Sequence, residues 1–179
     1  MSISPVFTVF HRPCRSGLGY MCHDLHNPVM EIEITPYQPC HFPEVCRLEL
    51  RGEECGYAAA VFVRQMEELT PSAFFVAMCG DVVIGFGVGA LSCTSHDAWV
   101  LRLRVYPAYQ RKGIGSALMH RLLLALAKEG AERIFLSVSP ANEAAMKLYA
   151  KLGFTVTGER TEYFGPGEDR LILIREFSG

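Results

Sequence analysis

The strongest constraint on the fold of this chain is a strand that leads into a glycine-flanked helix. Residues Ala98–Tyr106 are rich in branched apolar side chains, which is typical of a buried strand. Residues Gly113–Lys128 repeat apolar side chains at helical spacing, and Gly130 follows as a helix stop. The pattern therefore predicts a strand, a short loop and a helix in direct succession.

The start of that helix predicts an anion-binding site. The first amides of a helix have no intrahelical partners and lie at the positive end of its dipole. Gly113 and Gly115 have no β-carbon to block a ligand, and Arg111 and Lys112 add positive charge. The spacing fits neither a Walker A loop nor the dinucleotide GxGxxG pattern. A simple tight turn is the alternative interpretation.

The remaining periodicity predicts one mixed α/β domain over residues 30–179, preceded by an extension at 1–29 that is at most partly ordered. The predicted order is β-α-α-β-β-β-α-β-α-β-β. The other predicted strands and helices are Met30–Thr35, Phe42–Leu50, Tyr57–Glu68, Ser72–Cys79, Val82–Leu91, Arg133–Ser139, Asn142–Leu152, Phe154–Phe164 and Asp169–Phe177.

Composition excludes several classes of function. A net charge of −2 without a basic run argues against a nucleic-acid partner, and no apolar run is long enough to cross a membrane. Seven cysteines without a CxxC pair favour reduced thiols and a cytoplasmic location. Cys14, Cys22, His23 and His26 are the candidates for a metal site, but their spacings match no standard zinc finger, so we predict no metal.

Two motifs resemble a known family. Gln110-Arg-Lys-Gly-Ile-Gly115 is similar to the (Gln/Arg)-x-x-Gly-x-(Gly/Ala) signature of the GNAT (Gcn5-related) acyltransferases, and Val105 and Pro107 match the V-x-P before it. Asn142–Phe154 resembles the family segment N-x-x-A-x-x-L-Y-x-x-x-G-F. The resemblance implies the GNAT fold, which is a mixed, mostly antiparallel sheet flanked by helices, and it implies acetyl-CoA as co-substrate.

The resemblance also implies a role for each residue of the motifs. The loop and first helical turn would hold the CoA pyrophosphate, the strand before them would pair with the pantetheine arm, and the Asn142 side chain would bond that arm. The implied cofactor-binding residues are Leu103, Arg104, Val105, Gln110, Arg111, Lys112, Gly113, Ile114, Gly115, Ser116, Asn142 and Tyr149.

The implied reaction is attack of a neutral amine on the thioester, for which an acid and a base are useful. Tyr149 is the predicted acid, and packing on the apolar helix face is its alternative role. The base is open, because Trp99 and Ser137 stand where relatives carry a glutamate. Asp97, Glu33, Glu162 or backbone carbonyls acting through a water are the remaining candidates.

Arg102 and Arg104 share one strand face by their spacing. They predict either a clamp for an acidic substrate or, as the favoured interpretation, pairing with nearby acids across the sheet.

The segment Tyr163–Leu173 resembles the ending of N-terminal acetyltransferases, including the RimI-like branch that modifies a bacterial ribosomal protein. Phe164 departs from that pattern because it lacks a hydroxyl. The leading acceptor is therefore a protein or peptide α-amine, with Trp99, Ser137 and Tyr163 as candidate substrate residues. A small-molecule amine and a non-catalytic acyl-CoA sensor are the alternatives, and a homodimer is left open.

Overall fold

The computed structural model of the protein describes residues 31–50 and 56–177. Their elements follow the predicted order. Three short 3₁₀ turns occur in addition: Pro39–His41 directly before α1, Pro71–Ala73 directly before β2, and Pro107–Tyr109 in the loop between β4 and α3. The strands and helices are β1 (Ile32–Pro36), α1 (Phe42–Leu50), α2 (Gly56–Leu69), β2 (Phe74–Cys79), β3 (Val82–Leu91), β4 (Asp97–Val105), α3 (Ile114–Lys128), β5 (Arg133–Val138), α4 (Glu143–Lys151), β6 (Thr155–Arg160) and β7 (Arg170–Glu176).

The strands of the described residues form one sheet in the order β1-β2-β3-β4-β5-β7-β6. Strands β4 and β5 are parallel, and every other neighbouring pair is antiparallel. β4 and β5 can be parallel because α3 returns the chain from the end of β4 to the start of β5. The predicted mixed, mostly antiparallel sheet is confirmed.

The two faces of the sheet are covered by different helices. Helices α3 and α4 pack on one face in a core that includes Leu118, Leu122 and Leu126, all fully buried. Helices α1 and α2 cover the other face through residues such as Val45 and Val63. The helices are amphipathic for this reason, since each has one face on the sheet and one in water.

Glycines at two positions of β3 allow close packing. A β-carbon at Gly89 would lie 2.8 Å from the carbonyl oxygen of Trp99 and 3.0 Å from Leu126 Cδ1. A β-carbon at Gly85 would lie 2.8 Å from the carbonyl oxygen of Arg104. Real β-carbons do not approach backbone oxygens this closely, so these glycines bring β4 and α3 against β3.

The structure corrects the predicted bounds of two strands. β2 begins at Phe74 rather than Ser72, because the 3₁₀ turn occupies the residues before it. β6 ends at Arg160 rather than Phe164. Glu162 has a left-handed φ of 49°, and its amide donates to Asp169 Oδ1 at 2.9 Å, which turns the chain before a longer strand can form.

The predicted extension at 1–29 and the cluster of Cys14, Cys22, His23 and His26 lie outside the described residues. Within residues 31–50 and 56–177, no group of three or more His, Cys, Asp or Glu side chains is arranged to hold a metal ion. None of the helices in the same ranges combines the length and hydropathy that crossing a bilayer requires.

Candidate active site

The start of α3 presents unpaired backbone amides. The first hydrogen bond of the helix runs from the Ala117 amide to the Gly113 carbonyl at 3.0 Å. Among the described residues, no backbone carbonyl accepts from the amides of residues 111–116. These donors lie at the positive end of a helix of 15 residues, so the site can hold an anion such as a diphosphate.

The loop before α3 has a backbone that matches this role. Gly113 is the N-cap with a left-handed φ of 82°, a conformation that disfavours side chains. Arg111 also has a positive φ, of 60°. A β-carbon on Gly115 would meet Leu148 Cδ2 at 3.5 Å, which is an ordinary contact. Packing within the protein therefore does not require glycine at 115, whereas a ligand lying against the amides would exclude a large side chain there.

The side chain of Gln110 forms a hydrogen bond within the loop before α3. Its side-chain Nε2 donates to the carbonyl oxygen of Val105 at 3.0 Å. This bond closes the loop between β4 and α3 on itself. Gln110 thus stabilises the shape of the loop in the protein. In the same loop, Lys112 Nζ lies 5.4 Å from the ring centre of Tyr109.

Strands β4 and β5 separate in the middle of the sheet. Their pairing covers Asp97–Val100 on β4 and ends at Val100 opposite Leu136. On its other side, β4 has a bulge, because Val88 pairs with Arg102 and Gly89 with Val100, which leaves Leu101 without a partner on β3. Beyond the bulge, the pairing of β4 with β5 does not extend to residues 101–105 within the described sheet. An extended chain can pair with an unpaired strand edge.

A cleft of ≈ 730 Å³ occupies the space between the separated strands. Its lining comes from β4, β5, the start of α4 and the segment between β6 and β7. We call the part formed by Leu103, Asn142 and Tyr149, together with the loop before α3, the α3 side. The part formed by the opposite strand face and the β6–β7 segment is the α1 side, and it comprises Arg102, Arg104, Ser137, Phe164, Glu168 and Arg170.

Asn142 is the N-cap of α4, as predicted from the sequence. Its side-chain Oδ1 accepts from the Ala145 amide at 3.1 Å, which fixes the side chain at the edge of the cleft. The cap uses only the oxygen, so the Nδ2 group remains able to donate to a ligand.

Tyr149 is 8% exposed, and its ring lies 5.9 Å from that of Phe154 in an edge-on arrangement. Among the described residues, no polar side-chain atom is both fully buried and without a hydrogen-bond partner. None of these residues forms a hydrogen bond with the Tyr149 hydroxyl, so this hydroxyl is not fully buried. The hydroxyl therefore reaches the cleft that Tyr149 lines. Burial raises the pKa of Tyr149 to about 12, so the group keeps its proton at neutral pH.

The three candidate substrate residues lie in different places. Ser137 lines the cleft. Trp99 is outside the lining and stacks on Phe135 with ring centres 5.3 Å apart, where β4 and β5 are still paired. Tyr163 is also outside the lining, but its ring lies 4.7 Å from that of Phe164, which does line the cleft.

The candidate bases from the sequence lie away from the cleft lining or are already paired. Asp97 Oδ1 accepts from Arg133 Nε at 2.6 Å. Glu33 lies on β1, three strands away from β4. Glu162 lies in the turn after β6 and is exposed. Glu168 is the only carboxylate among the described lining residues, and it is ion-paired with Arg170.

Arg102 and Arg104 pair with an acid, as favoured, but the acid lies on a helix rather than across the sheet. Glu49 of α1 accepts from Arg102 Nε at 2.7 Å and from Arg104 Nε at 3.4 Å. Sequence reasoning missed Glu49 because it lies more than fifty residues from both arginines. It also missed Glu168 and Arg170 as cleft residues. The family-like segment Tyr163–Leu173 contained both and was the available signal.

Comparisons with known proteins agree with this geometry. A model of the acetyltransferase (GNAT) family matches residues 28–154, which is more than half of the chain. The chain belongs to the GNAT family. The predicted family is thereby confirmed.

Relatives and solved structures place the chain more closely. An uncharacterized N-acetyltransferase of Mycobacterium bovis is 37% identical over 82 residues, which cover 45% of this chain and 53% of the relative. The chain thus spans about half the length of this relative. An N-alpha-acetyltransferase of Sulfurisphaera tokodaii is 30% identical over 66% of this chain and 77% of its own.

The crystal structure of the ribosomal-protein-S18-alanine N-acetyltransferase of Escherichia coli superimposes with a TM-score of 0.70 at 25% identity. The match covers 83% of this chain and 97% of that one. The expected similarity to the RimI-like branch is confirmed at the level of fold and sequence.

Proposed function

We propose that the protein is an acetyl-CoA-dependent N-acetyltransferase and that its acceptor is the N-terminal α-amine of a protein or peptide. We further propose that residues 30–179 form the catalytic domain and that residues 1–29 precede it as an extension. The observation that supports the activity most directly is the cleft between β4 and β5, which lies beside Tyr149 and where the two strands no longer pair.

The residues that would hold acetyl-CoA lie along one continuous path. The amides of residues 111–116 suit the pyrophosphate, and the part of β4 beyond its pairing with β5, at residues 101–105, suits the amide groups of the pantetheine arm. Asn142 Nδ2 and the Tyr149 hydroxyl stand at the cleft end of this path. Acetyl-CoA would supply an acetyl thioester whose acyl group passes to an amine nitrogen.

Tyr149 is proposed as the proton donor to the leaving sulfur. Its raised pKa keeps the hydroxyl protonated, so it always offers a hydrogen to a sulfur that gains negative charge. Burial of the ring fixes the direction of that hydrogen bond, which adds to its effect because the donor needs no reorientation.

The scarcity of a free base favours an α-amine over a lysine-like amine. The one carboxylate of the described cleft lining, Glu168, is neutralised by Arg170. An α-amine with a pKa near 8 is about 20% neutral at pH 7.4, whereas an alkyl amine with a pKa near 10.4 is only about 0.1% neutral. A site without a free carboxylate can therefore use the first amine far more readily.

The sequence comparisons support the same choice. The relative from Sulfurisphaera tokodaii is named an N-alpha-acetyltransferase, and the enzyme from Escherichia coli is named for an alanine of a ribosomal protein.

We also propose a reducing compartment such as the cytoplasm, which the free thiols of Cys46, Cys79 and Cys93 support.

A direct test measures acetylation of matched peptides by mass spectrometry. Each peptide is offered in two forms, one with a free N-terminus and one with a blocked N-terminus and an internal lysine. A panel of polyamines and amino sugars is assayed in parallel. Acetylation confined to free α-amines is the expected result. Turnover of lysine or polyamine alone would contradict the proposed acceptor, and CoA binding without any turnover would indicate the sensor instead.

A further inference from the structure

The α1 side of the cleft contains a guanidinium that the surrounding residues hold in place. Arg102 Nε donates to Glu49 Oε1 at 2.7 Å, and Arg102 Nη1 donates to the carbonyl oxygen of Leu101 at 3.1 Å. The guanidinium carbon lies 5.0 Å from the ring centre of Phe62. Contacts from α1, the β4 bulge and α2 thus fix the plane of this group before any ligand binds.

These contacts leave donors free on Arg102. A guanidinium has five N–H groups, and the bonds to Glu49 and Leu101 use two of them. Within the described residues, Arg102 Nη2 has no hydrogen-bond partner. The side chain is 41% exposed and lines the cleft, so its free donors are open to a ligand there.

Arg102 shares its acidic partner, Glu49, with a second guanidinium. Glu49 offers one negative charge to two guanidiniums, those of Arg102 and Arg104, while Arg170 and Glu168 neutralise each other. The Arg102 guanidinium therefore keeps donors for an anion in the cleft. A carboxylate is the ligand that a planar, oriented guanidinium recognises best.

We propose that Arg102 is a specificity-determining residue that selects acceptors carrying a carboxylate close to the reacting amine. The inference rests on the proposed function and names the acceptor class more closely. The carboxylate belongs either to an Asp or Glu side chain within the first two residues of a peptide, or to the α-carboxyl group of a free amino acid.

The test compares acidic acceptors with their amides. Peptides that begin with Asp, Glu, Ser-Asp or Ser-Glu are paired with peptides that carry Asn or Gln at the same position, and free amino acids are paired with amino-acid amides. For the wild-type protein, kcat/KM should be about 10-fold higher for the acidic member, which is the usual size of a charge-assisted hydrogen bond. Preference in the peptide pairs identifies a side-chain carboxylate, and preference in the amino-acid pairs identifies an α-carboxylate.

Two substitutions connect that preference to Arg102. Arg102→Gln should bring the ratio of acid to amide close to one, and Arg102→Lys should keep an intermediate ratio because it retains the charge without the planar fork. Arg47→Gln is the matched control, since Arg47 is an exposed residue of α1 that pairs with Glu44 outside the cleft. It should keep the wild-type ratio.

The outcomes separate this inference from the proposed function. Equal rates for acids and amides in the wild-type protein, or an unchanged ratio in Arg102→Gln, would overturn the inference while N-terminal acetylation stands. Absence of turnover for every peptide and amino acid would overturn both together. The ratio is a comparison within one variant, so partial loss of folded protein does not alter it.

Discussion

The two sides of the cleft are built from different parts of the chain. The α3 side consists largely of backbone: unpaired amides at the start of α3, the left-handed Gly113 and the part of β4 beyond its pairing with β5. The α1 side consists of side chains, such as Arg102 and Phe164, that come from distant segments. A backbone site suits one invariant ligand, whereas a side-chain site can be changed one residue at a time. The α3 side therefore fits a common co-substrate and the α1 side a particular acceptor.

A substitution of Gly115 should damage the α3 side alone and have the largest effect. Gly115→Glu places bulk and negative charge over the amides, so we expect the Kd for CoA in calorimetry to rise at least about 100-fold, or roughly 3 kcal/mol. Gly115→Ala is the control and should keep the wild-type Kd, because its β-carbon makes only an ordinary contact at 3.5 Å. If both variants bound CoA like the wild type, the backbone site would have to be placed elsewhere.

Tyr149 lies where the two sides meet, and its burial should be measurable through pH. Its pKa is about 12 in the folded protein and near 10 when exposed, so between these values the unfolded state loses its proton first. Stability from this residue is complete below pH 10 and declines as the pH rises to 12, by about 2–3 kcal/mol.

The measurement is the free energy of unfolding from pH 9 to 12 for the wild type and for Tyr149→Phe. The difference between the two curves isolates Tyr149 from the other tyrosines. Parallel curves across this range would show that the hydroxyl is solvated rather than held in the cleft wall.

The same substitution should separate chemistry from binding. Tyr149→Phe is expected to bind acetyl-CoA normally and to lower kcat at least about 10-fold, the lower part of the range for proton transfer by a side chain. Calorimetry and a thiol-release assay give the two quantities. An unchanged kcat would assign Tyr149 to packing, which was the alternative interpretation of its position.

A change at Phe164 should affect only the α1 side. Phe164 is 60% exposed, and its ring contacts that of Tyr163. The guanidinium carbon of Arg170 lies 5.1 Å from the centre of the Phe164 ring. We expect Phe164→Ala to raise the KM for a peptide acceptor about 5-fold, because roughly 1 kcal/mol of apolar contact is lost. Phe164→Tyr should keep the KM for the peptide close to the wild-type value, because the aromatic ring is retained. A matching rise in the Kd for CoA would show that the two sides are not independent.

The difference between the sides also explains what the sequence could predict. The glycine-flanked helix start, the Asn142 cap and the order of the elements depend on neighbouring residues, and each was predicted correctly. The contact of Arg102 with Glu49 joins residues 53 positions apart, and periodicity within a strand does not contain that information. The end of β6 was predicted too late because a side chain, Asp169, caps the turn from beyond it.

The unpaired residue at position 101 has a consequence for the whole of β4. Ala98 and Val100 point into the core under α3, and with strict alternation Arg102 and Arg104 would point into the same core. The extra residue reverses the alternation, so that Leu103 and Val105 take the inner positions instead. If Leu101 were instead accommodated in regular alternation, without the bulge, the two guanidiniums would point beneath α3, where charges are very costly to bury. The bulge therefore decides which face of the sheet carries the two arginines.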